Sequence, residues 1–166
     1  LGISLRTLVE EIGGGAAPGS RIKAVQTGGP GGGFVPAHLL DVPIADRTLK
    51  SLGSALGSGG VVVIGDATAI PDLVLHFLRF CATESCGKCV PCRAGTQQLV
   101  VLLESLQSGG GERGADHNLD LLEELAGMVG ACSLCGLGQN APNPLLSSLR
   151  HFRGEYGLAL PEAIAP

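Results

Sequence analysis

The second half of the chain carries apolar residues at helical spacing. Pro71-Asp72 and Asn143-Pro144 mark the starts of the first and the last of these stretches, because proline is tolerated in the first turn of a helix. The apolar positions are Val74, Phe77, Leu78 and Cys81; Leu99, Leu102, Leu103 and Leu106; Leu119, Leu122, Ala126 and Val129; and Leu145, Leu146, Leu149 and Phe152. Four amphipathic helices with short links predict a small antiparallel bundle.

The first half, up to about Ala67, has a different pattern, with short elements between glycine clusters. The clusters lie at 13–15, 28–33 and 57–60. Ser4 to Ile12 predicts a helix, with Ser4 as its N-cap. Leu5, Leu8, Val9 and Ile12 form the apolar face of this helix.

Two β-prone runs follow in the first half. Residues 21–26 predict one strand, and the uniformly apolar residues 61–64 predict a second strand that is buried. Leu49 to Leu56 carries an apolar face and predicts a short helix between the strands. The chain is therefore expected to belong to the α+β class, a small mixed unit followed by helices.

Composition and charge narrow the possible partners. An apolar content of 45% in 166 residues is sufficient for a core. A net charge of −4, with 11 unclustered Lys and Arg residues, argues against nucleic-acid binding and favours protein partners. The longest apolar runs are far shorter than the roughly 20 residues of a membrane-spanning helix, and the sequence opens without a secretion signal. We therefore expect a soluble protein, located in the cytoplasm.

Six cysteines lie between residues 81 and 135 of this Leu- and Ala-rich chain. Disulfide scaffolds are small, extracellular and dense in cysteine throughout, so metal ligation fits better. Cys86, Cys89 and Cys92 are separated from one another by two residues, which lets one tight loop bind three corners of an iron-sulfur cube. Cys135, in a glycine-flanked loop between the third and fourth predicted helices, can supply the fourth corner.

Neighbouring residues suit an anionic cluster. Gly87, Gly136 and Gly138 allow backbone N–H groups to approach the cluster sulfurs, where hydrogen bonds help to set the potential. Lys88 and Arg93 place positive charge beside the ligands, and the start of the helix after Cys92 adds its dipole.

Zinc is the main alternative metal, because Cys132-Ser-Leu-Cys135 offers a second C-x-x-C pair. Cys132 is also an alternative to Cys135 as the fourth ligand. A bacterial ferredoxin run is disfavoured, since Arg93-Ala94-Gly95 follows the third cysteine in place of a further Cys-Pro. Cys81, on the apolar face of its predicted helix, is expected to be a core residue.

Other motifs carry no chemistry. The four histidines lack partners at ligand spacing and are predicted to be surface or packing residues: His38, His76, His117 and His151. Gly28 to Gly33 is not a dinucleotide fingerprint, because Phe34-Val35-Pro36 follows it where a long helix is needed, so it predicts a flexible turn. The sequence shows no substrate chemistry of its own, and no catalytic residue is assigned.

The cysteine segments resemble those of a known family. Glu84-Ser-Cys-Gly-Lys-Cys-Val-Pro-Cys-Arg-Ala-Gly95 and Ser133-Leu-Cys-Gly-Leu-Gly-Gln139 are similar to the cluster motifs of the NADH-oxidising flavoprotein subunit of respiratory complex I. Ala141 to Pro144 and Leu149 to Tyr156 look most like the diaphorase subunits of NAD(P)-linked hydrogenases. The glycine-rich first half resembles the soluble-ligand-binding β-grasp domain of that family.

The resemblance implies a β-grasp (ubiquitin-like) domain over residues 1–67, without its opening hairpin, and a helical [4Fe-4S] domain over residues 68–166. It further implies that the cluster accepts electrons from FMN, which NADH or NADPH reduces. Partners would be other redox subunits, including a small iron-sulfur subunit, in a complex that is cytoplasmic or peripheral to the cytoplasmic face of a membrane. The FMN and NADH domain of the family is absent from this sequence, which suggests a fragment. A non-catalytic partner-binding module with structural zinc remains the alternative.

Overall fold

The computed structural model describes residues 2–109 and 115–156, except for the side chains of residues 115–117. The strands are β1 (Ile22–Thr27), β2 (Phe34–Pro36) and β3 (Val61–Gly65). The α-helices are α1 (Asp46–Ser51), α2 (Ile70–Thr83), α3 (Thr96–Gln107), α4 (Ala115–Cys132), α5 (Gly136–Asn140) and α6 (Asn143–Phe152). Short π-helical segments lie at Thr7–Ile12 and Pro91–Gly95, and 3₁₀ turns at Gly29–Gly31, Ala37–Leu39 and Arg153–Tyr156. This helix-rich arrangement around a small sheet confirms the α+β class.

The three strands form one antiparallel sheet in the order β2-β1-β3. Val25 at the centre of β1 faces Val35 of β2 on one side and Val63 of β3 on the other. Because β1 lies between two neighbours and both faces of the sheet are covered, Ala24 and Val25 are both fully buried although they point to opposite faces.

Each face of the sheet belongs to a different apolar core. On one face, Ala24, Phe34 and Ile64 pack with residues from α2, α3, α4 and α6. On the other face, Val25 and Val35 pack with residues from the first helix, the β2–α1 connection and α1. The sheet is therefore the wall that the two cores share.

The first helix begins as the sequence predicts. The Thr7 backbone N–H donates a hydrogen bond of 3.0 Å to Ser4 Oγ, which confirms Ser4 as its cap. Leu5 and Val9 are buried, but Ile12 is 67% exposed. The prediction that Ile12 belongs to the apolar face is wrong, because the π-helical winding of Thr7–Ile12 turns its last residue away from the core.

Two predictions for the first half need correction, and one strand was missed. The strand at 61–64 is present but not fully buried, since β3 is an edge strand and Val62 is 49% exposed. The short helix lies earlier than predicted, at Asp46–Ser51. Strand β2 was missed because it has only three residues and follows directly on a glycine run.

The glycine run forms a turn around Gly29–Gly31, as predicted, and part of it is closely packed. A Cβ at Gly33 would lie 2.2 Å from the carbonyl oxygen of Gly53, so the backbones of the two glycine-rich segments touch. Glycine is required at this position because the two segments of the backbone approach each other so closely.

The helices predicted in the second half are confirmed as α2, α3, α4 and α6. The predicted apolar faces of these helices supply most of the core that lies between the helices and one face of the sheet, including Leu78, Leu99, Leu122 and Leu145. Helix α5 was missed, since five residues rich in glycine give no periodic signal. Among the described residues, no helix has both the length and the apolar character needed to cross a membrane.

Candidate metal centre

The first three predicted ligands, Cys86, Cys89 and Cys92, lie in the segment that joins α2 to α3. Gly87 has a φ of +77°, a left-handed conformation that lets the chain reverse between Cys86 and Cys89. The turn is held from within, because the Arg93 backbone N–H donates to the Cys89 carbonyl oxygen at 3.0 Å and the Arg93 guanidinium donates to the Gly87 carbonyl oxygen. The turn is thus stabilised by hydrogen bonds within its own segment, one of them from the Arg93 side chain.

The fourth predicted ligand, Cys135, comes from the segment between α4 and α5. Cys135 follows α4 in an extended conformation and begins α5, whose Gln139 N–H donates to the Cys135 carbonyl oxygen at 3.0 Å. Gly138 allows close contact, since a Cβ there would lie 2.9 Å from Cys92 Cβ. The glycine-rich segment therefore packs directly on the cysteine turn.

The two segments enclose a cavity of about 100 Å³. All four predicted ligands line it: Cys86, Cys89, Cys92 and Cys135. Cys132 is exposed at the end of α4 and is not among the residues that line the cavity. Cys81 also lies outside the cavity wall.

The thiols differ in environment. The pKa of Cys89 is lowered, chiefly by a hydrogen bond from the Leu134 backbone N–H to its sulfur and, to a smaller extent, by one from the Cys92 backbone N–H. The Ser133 hydroxyl also lowers the pKa of Cys89, by a smaller amount, although it makes no hydrogen bond of ordinary geometry. In contrast, burial and then the nearby Cys92 raise the pKa of Cys81 to about 11.

Cys81 is 3% exposed, which confirms it as a core residue. The histidines at 38 and 76 are exposed and His151 is half-buried, in agreement with surface or packing roles, whereas the side chain of His117 lies outside the described residues.

The donor set suits a polynuclear cluster. Within residues 2–109 and 115–156, no three Cys, His, Asp or Glu side chains are placed to hold a single metal ion. A single zinc ion would bind its sulfurs at about 2.3 Å from the metal, whereas a [4Fe-4S] cube is bound by one thiolate at each of its irons. The four cysteines around one cavity are the thiolate donors that a [4Fe-4S] cluster would need.

The predicted cations lie near the cavity but differ in role. Lys88 is exposed and lines the cavity. Arg93 is also exposed, and its guanidinium is engaged in holding the turn. The segment Pro91–Gly95 begins beside Cys92 as a π-helix and leads without interruption into α3.

Two hydroxyl groups at the site were missed by sequence reasoning. Ser85 Oγ lies 3.3 Å from Cys92 Sγ and accepts the Gly87 N–H at 3.3 Å. Ser133 is buried beside Gly138, where a Cβ would lie 2.5 Å from its Oγ. Serine next to cysteine has no distinctive spacing, so the sequence carries no signal for either role.

Comparison with known proteins is consistent with this geometry. Residues 72–158 match the family described as the NADH-ubiquinone oxidoreductase-F iron-sulfur binding region. The chain is 43% identical, over 94% of its length and 31% of the relative, to the NADP-reducing hydrogenase subunit HndC of Solidesulfovibrio fructosivorans. It is 41% identical, over 100% of its length and 39% of the relative, to an NADH-quinone oxidoreductase subunit of Rhizobium meliloti (strain 1021).

Among solved structures, an NAD⁺-reducing [NiFe]-hydrogenase in the H₂-reduced state is similar to this chain, with a TM-score of 0.78 and 31% identity. The match covers 98% of this chain and 27% of that one. The chain thus spans about a third of the length of the curated relatives that it matches.

Proposed function

Since this chain belongs to the NADH-ubiquinone oxidoreductase-F iron-sulfur binding family, we propose that it relays electrons through a [4Fe-4S] cluster bound by Cys86, Cys89, Cys92 and Cys135. The observation that carries the ligand assignment is the single cavity that all four cysteines line. Cys132, the competing candidate, is outside the residues that line it.

A bound [4Fe-4S] cluster supplies one-electron redox chemistry. The four thiolates hold it in place, and the backbone N–H groups of Leu134 and Cys92 stabilise negative charge on Cys89. Leu137 lines the cavity, and Cys92 is only 4% exposed, so this side of the site is shielded from water. Cys86 and Cys135 are exposed, which leaves an open side from which electrons can enter or leave.

In the complete protein, we propose that the electrons come from NADH or NADPH through FMN. They pass to other redox subunits, including a small iron-sulfur subunit, in an oxidoreductase such as complex I or an NAD(P)-linked hydrogenase. The names of the relatives, an NADH-quinone oxidoreductase subunit and an NADP-reducing hydrogenase subunit, support both possibilities. A cytoplasmic location, including the cytoplasmic face of a membrane complex, is part of the same proposal.

We also propose the finer architecture of a β-grasp domain over residues 1–67 and an antiparallel four-helix bundle over 68–166. The presence of two apolar cores, one of them mostly helical, supports this division. The sheet takes part in both cores, so the two units would share their boundary over a wide surface.

The ligand assignment is tested by a pair of cysteine variants. Cys135→Ser is expected to reduce the iron content from four atoms per chain and to abolish the EPR signal of the dithionite-reduced cluster, because a corner of the cube loses its thiolate. Cys132→Ser is the matched control, three residues away on the same segment, and is expected to keep both.

The opposite pattern, in which only Cys132→Ser loses the cluster, would assign the fourth ligand to Cys132. A colourless protein that contains zinc by elemental analysis, with no EPR signal after reduction, would refute the electron relay and favour a partner-binding module with a structural zinc site.

A further inference from the structure

Ser133 is a buried polar residue whose hydroxyl lacks a partner. It is 5% exposed, and its Oγ makes no hydrogen bond with any of the residues that the structure describes. Almost all buried hydroxyl groups in folded proteins are paired, so an exception calls for an explanation, such as a water, an ion or a bound group that completes the hydrogen bond.

The position of Ser133 is fixed by its neighbours. Its backbone N–H donates to the Val129 carbonyl oxygen at 3.2 Å, and its own carbonyl oxygen accepts the Gln139 side-chain N–H at 3.1 Å. Gly138 leaves room for the hydroxyl, since a Cβ there would lie 2.5 Å from Ser133 Oγ and 2.9 Å from Cys92 Cβ. The hydroxyl is therefore held in the narrow space between Gly138 and the cysteine turn.

On that side lies the cysteine turn, which carries three of the predicted ligands. The next residue along the chain, Leu134, already donates its backbone N–H to the Cys89 sulfur. A thiol that coordinates a metal is deprotonated, and the resulting thiolate accepts several hydrogen bonds. The Ser133 hydroxyl also lowers the pKa of the Cys89 thiol, which places it near the sulfur, and it has no hydrogen-bond partner among the described residues. Ser85 differs, because its oxygen already accepts the Gly87 N–H.

On the premise of the cluster proposed above, we propose that Ser133 is a positioning residue that donates its O–H to the Cys89 thiolate and raises the reduction potential of the cluster. Reduction adds one electron to the cluster and increases the negative charge on its ligands. A hydrogen bond to a ligand sulfur is therefore stronger in the reduced form and favours it.

The test compares Ser133→Ala with the unchanged protein, each with its cluster assembled, in a redox titration followed by EPR with dithionite as reductant. At a fixed solution potential, the ratio of reduced to oxidised cluster is expected to fall about tenfold in Ser133→Ala, which for one electron corresponds to a midpoint lower by about 59 mV. Ser133→Thr, which keeps a hydroxyl, should restore most of the shift.

Ser108→Ala is the control, because Ser108 is exposed and its hydroxyl donates to the Glu104 carbonyl oxygen far from the cysteines. An unchanged or higher midpoint in Ser133→Ala, with four irons per chain retained, would overturn the proposal and leave the cluster assignment intact. Loss of iron already in the unchanged protein would refute the cluster assignment instead.

A second measurement tests the proposal even if the Ser133→Ala protein fails to assemble its cluster. Pulsed EPR of the unchanged, reduced protein after exchange into ²H₂O should detect a hydroxyl deuteron coupled to the cluster, and this coupling should persist in Ser133→Thr. A spectrum explained by backbone N–H deuterons alone would overturn the proposal.

Discussion

Gly87 lies between Cys86 and Cys89 in a backbone conformation that residues with a side chain rarely adopt. Its φ is +77°, yet the space around it is open, since a Cβ there would find only Arg93 Cδ, at 3.8 Å. The demand for glycine at this position is therefore conformational and not steric. The chain reversal at Gly87 sets the position of Cys86 relative to Cys89.

Replacing Gly87 by alanine should weaken both the turn and the cluster. We expect Gly87→Ala to lower the free energy of unfolding by about 1–2 kcal/mol and to reduce the iron bound per chain, because alanine resists a positive φ. Gly87→Asn should lose less, since asparagine adopts this conformation more readily. Denaturant titration and iron analysis measure the two effects.

Gly154→Ala provides the control for this pair. Gly154 is exposed, has no positive φ, and would place its Cβ in open space. If Gly87→Ala matched Gly154→Ala in both stability and iron content, the argument from backbone conformation would fail.

At the scale of elements, the contact between the cysteine turn and α4 depends on a missing side chain. Gly95 ends the π-helical segment before α3, and a Cβ there would lie 2.3 Å from Val129 Cγ2 on α4. Val129 is fully buried, so its side chain cannot swing out into solvent to relieve this clash. The close approach of these elements brings the chain after Cys92 against the helix that leads to Cys135.

A double-mutant cycle tests this packing. Gly95→Ala should lower the free energy of unfolding by about 1–3 kcal/mol, the usual cost of overpacking a core. In the background of Val129→Ala the same change should cost much less, because the clashing methyl groups are gone. Chemical denaturation of the four proteins gives the coupling energy.

Gly127→Ala on the same helix is the matched control, since its Cβ would meet nothing within 4 Å. It should be neutral or stabilising by up to about 1 kcal/mol, because alanine favours helices over glycine. Equal destabilisation by Gly95→Ala in both backgrounds would contradict the packing argument.

At the scale of the whole molecule, polar contacts join the sheet to the helices. The Phe34 N–H in β2 donates to Ser147 Oγ on α6 at 2.9 Å, and that hydroxyl donates to the Asn143 carbonyl oxygen at 2.7 Å. Lys23 in β1 pairs with Glu155 at 3.1 Å, and Glu155 also accepts the Ile70 N–H at the start of α2 at 3.0 Å. The site and the sheet are thus parts of one packed body.

Ser147→Ala should lower the free energy of unfolding by about 1–3 kcal/mol, because it leaves the buried Phe34 N–H without an acceptor. The denaturant midpoint should fall while its slope stays constant, which would show that both halves still unfold together. The exposed Ser51→Ala should change stability by no more than about 0.5 kcal/mol. A biphasic transition in Ser147→Ala would contradict the joint unfolding of sheet and helices.

The sequence by itself determined the features that are local in the chain. The periodic apolar residues of α2, α3, α4 and α6 identified these helices, since a period of 3.6 places them on one face. The spacing of Cys86, Cys89 and Cys92 predicted the cysteine turn for the same reason, because the ligands and the turn that carries them lie within seven residues.

Only the tertiary structure decided what depends on distant partners. Strand β2 is three residues long and exists because β1 offers it a hydrogen-bonding edge. The exposure of Val62 follows from the position of β3 at the edge of the sheet. Cys135, and not Cys132, lines the cavity with Cys86, Cys89 and Cys92, because α4 ends before Cys135. The unpaired hydroxyl of Ser133 follows from its packing against Gly138. These contacts join different elements of the chain, from β1 and β2, whose paired residues Val25 and Val35 are close in sequence, to Cys92 and Gly138, which lie on opposite sides of α3 and α4, and no local spacing encodes them.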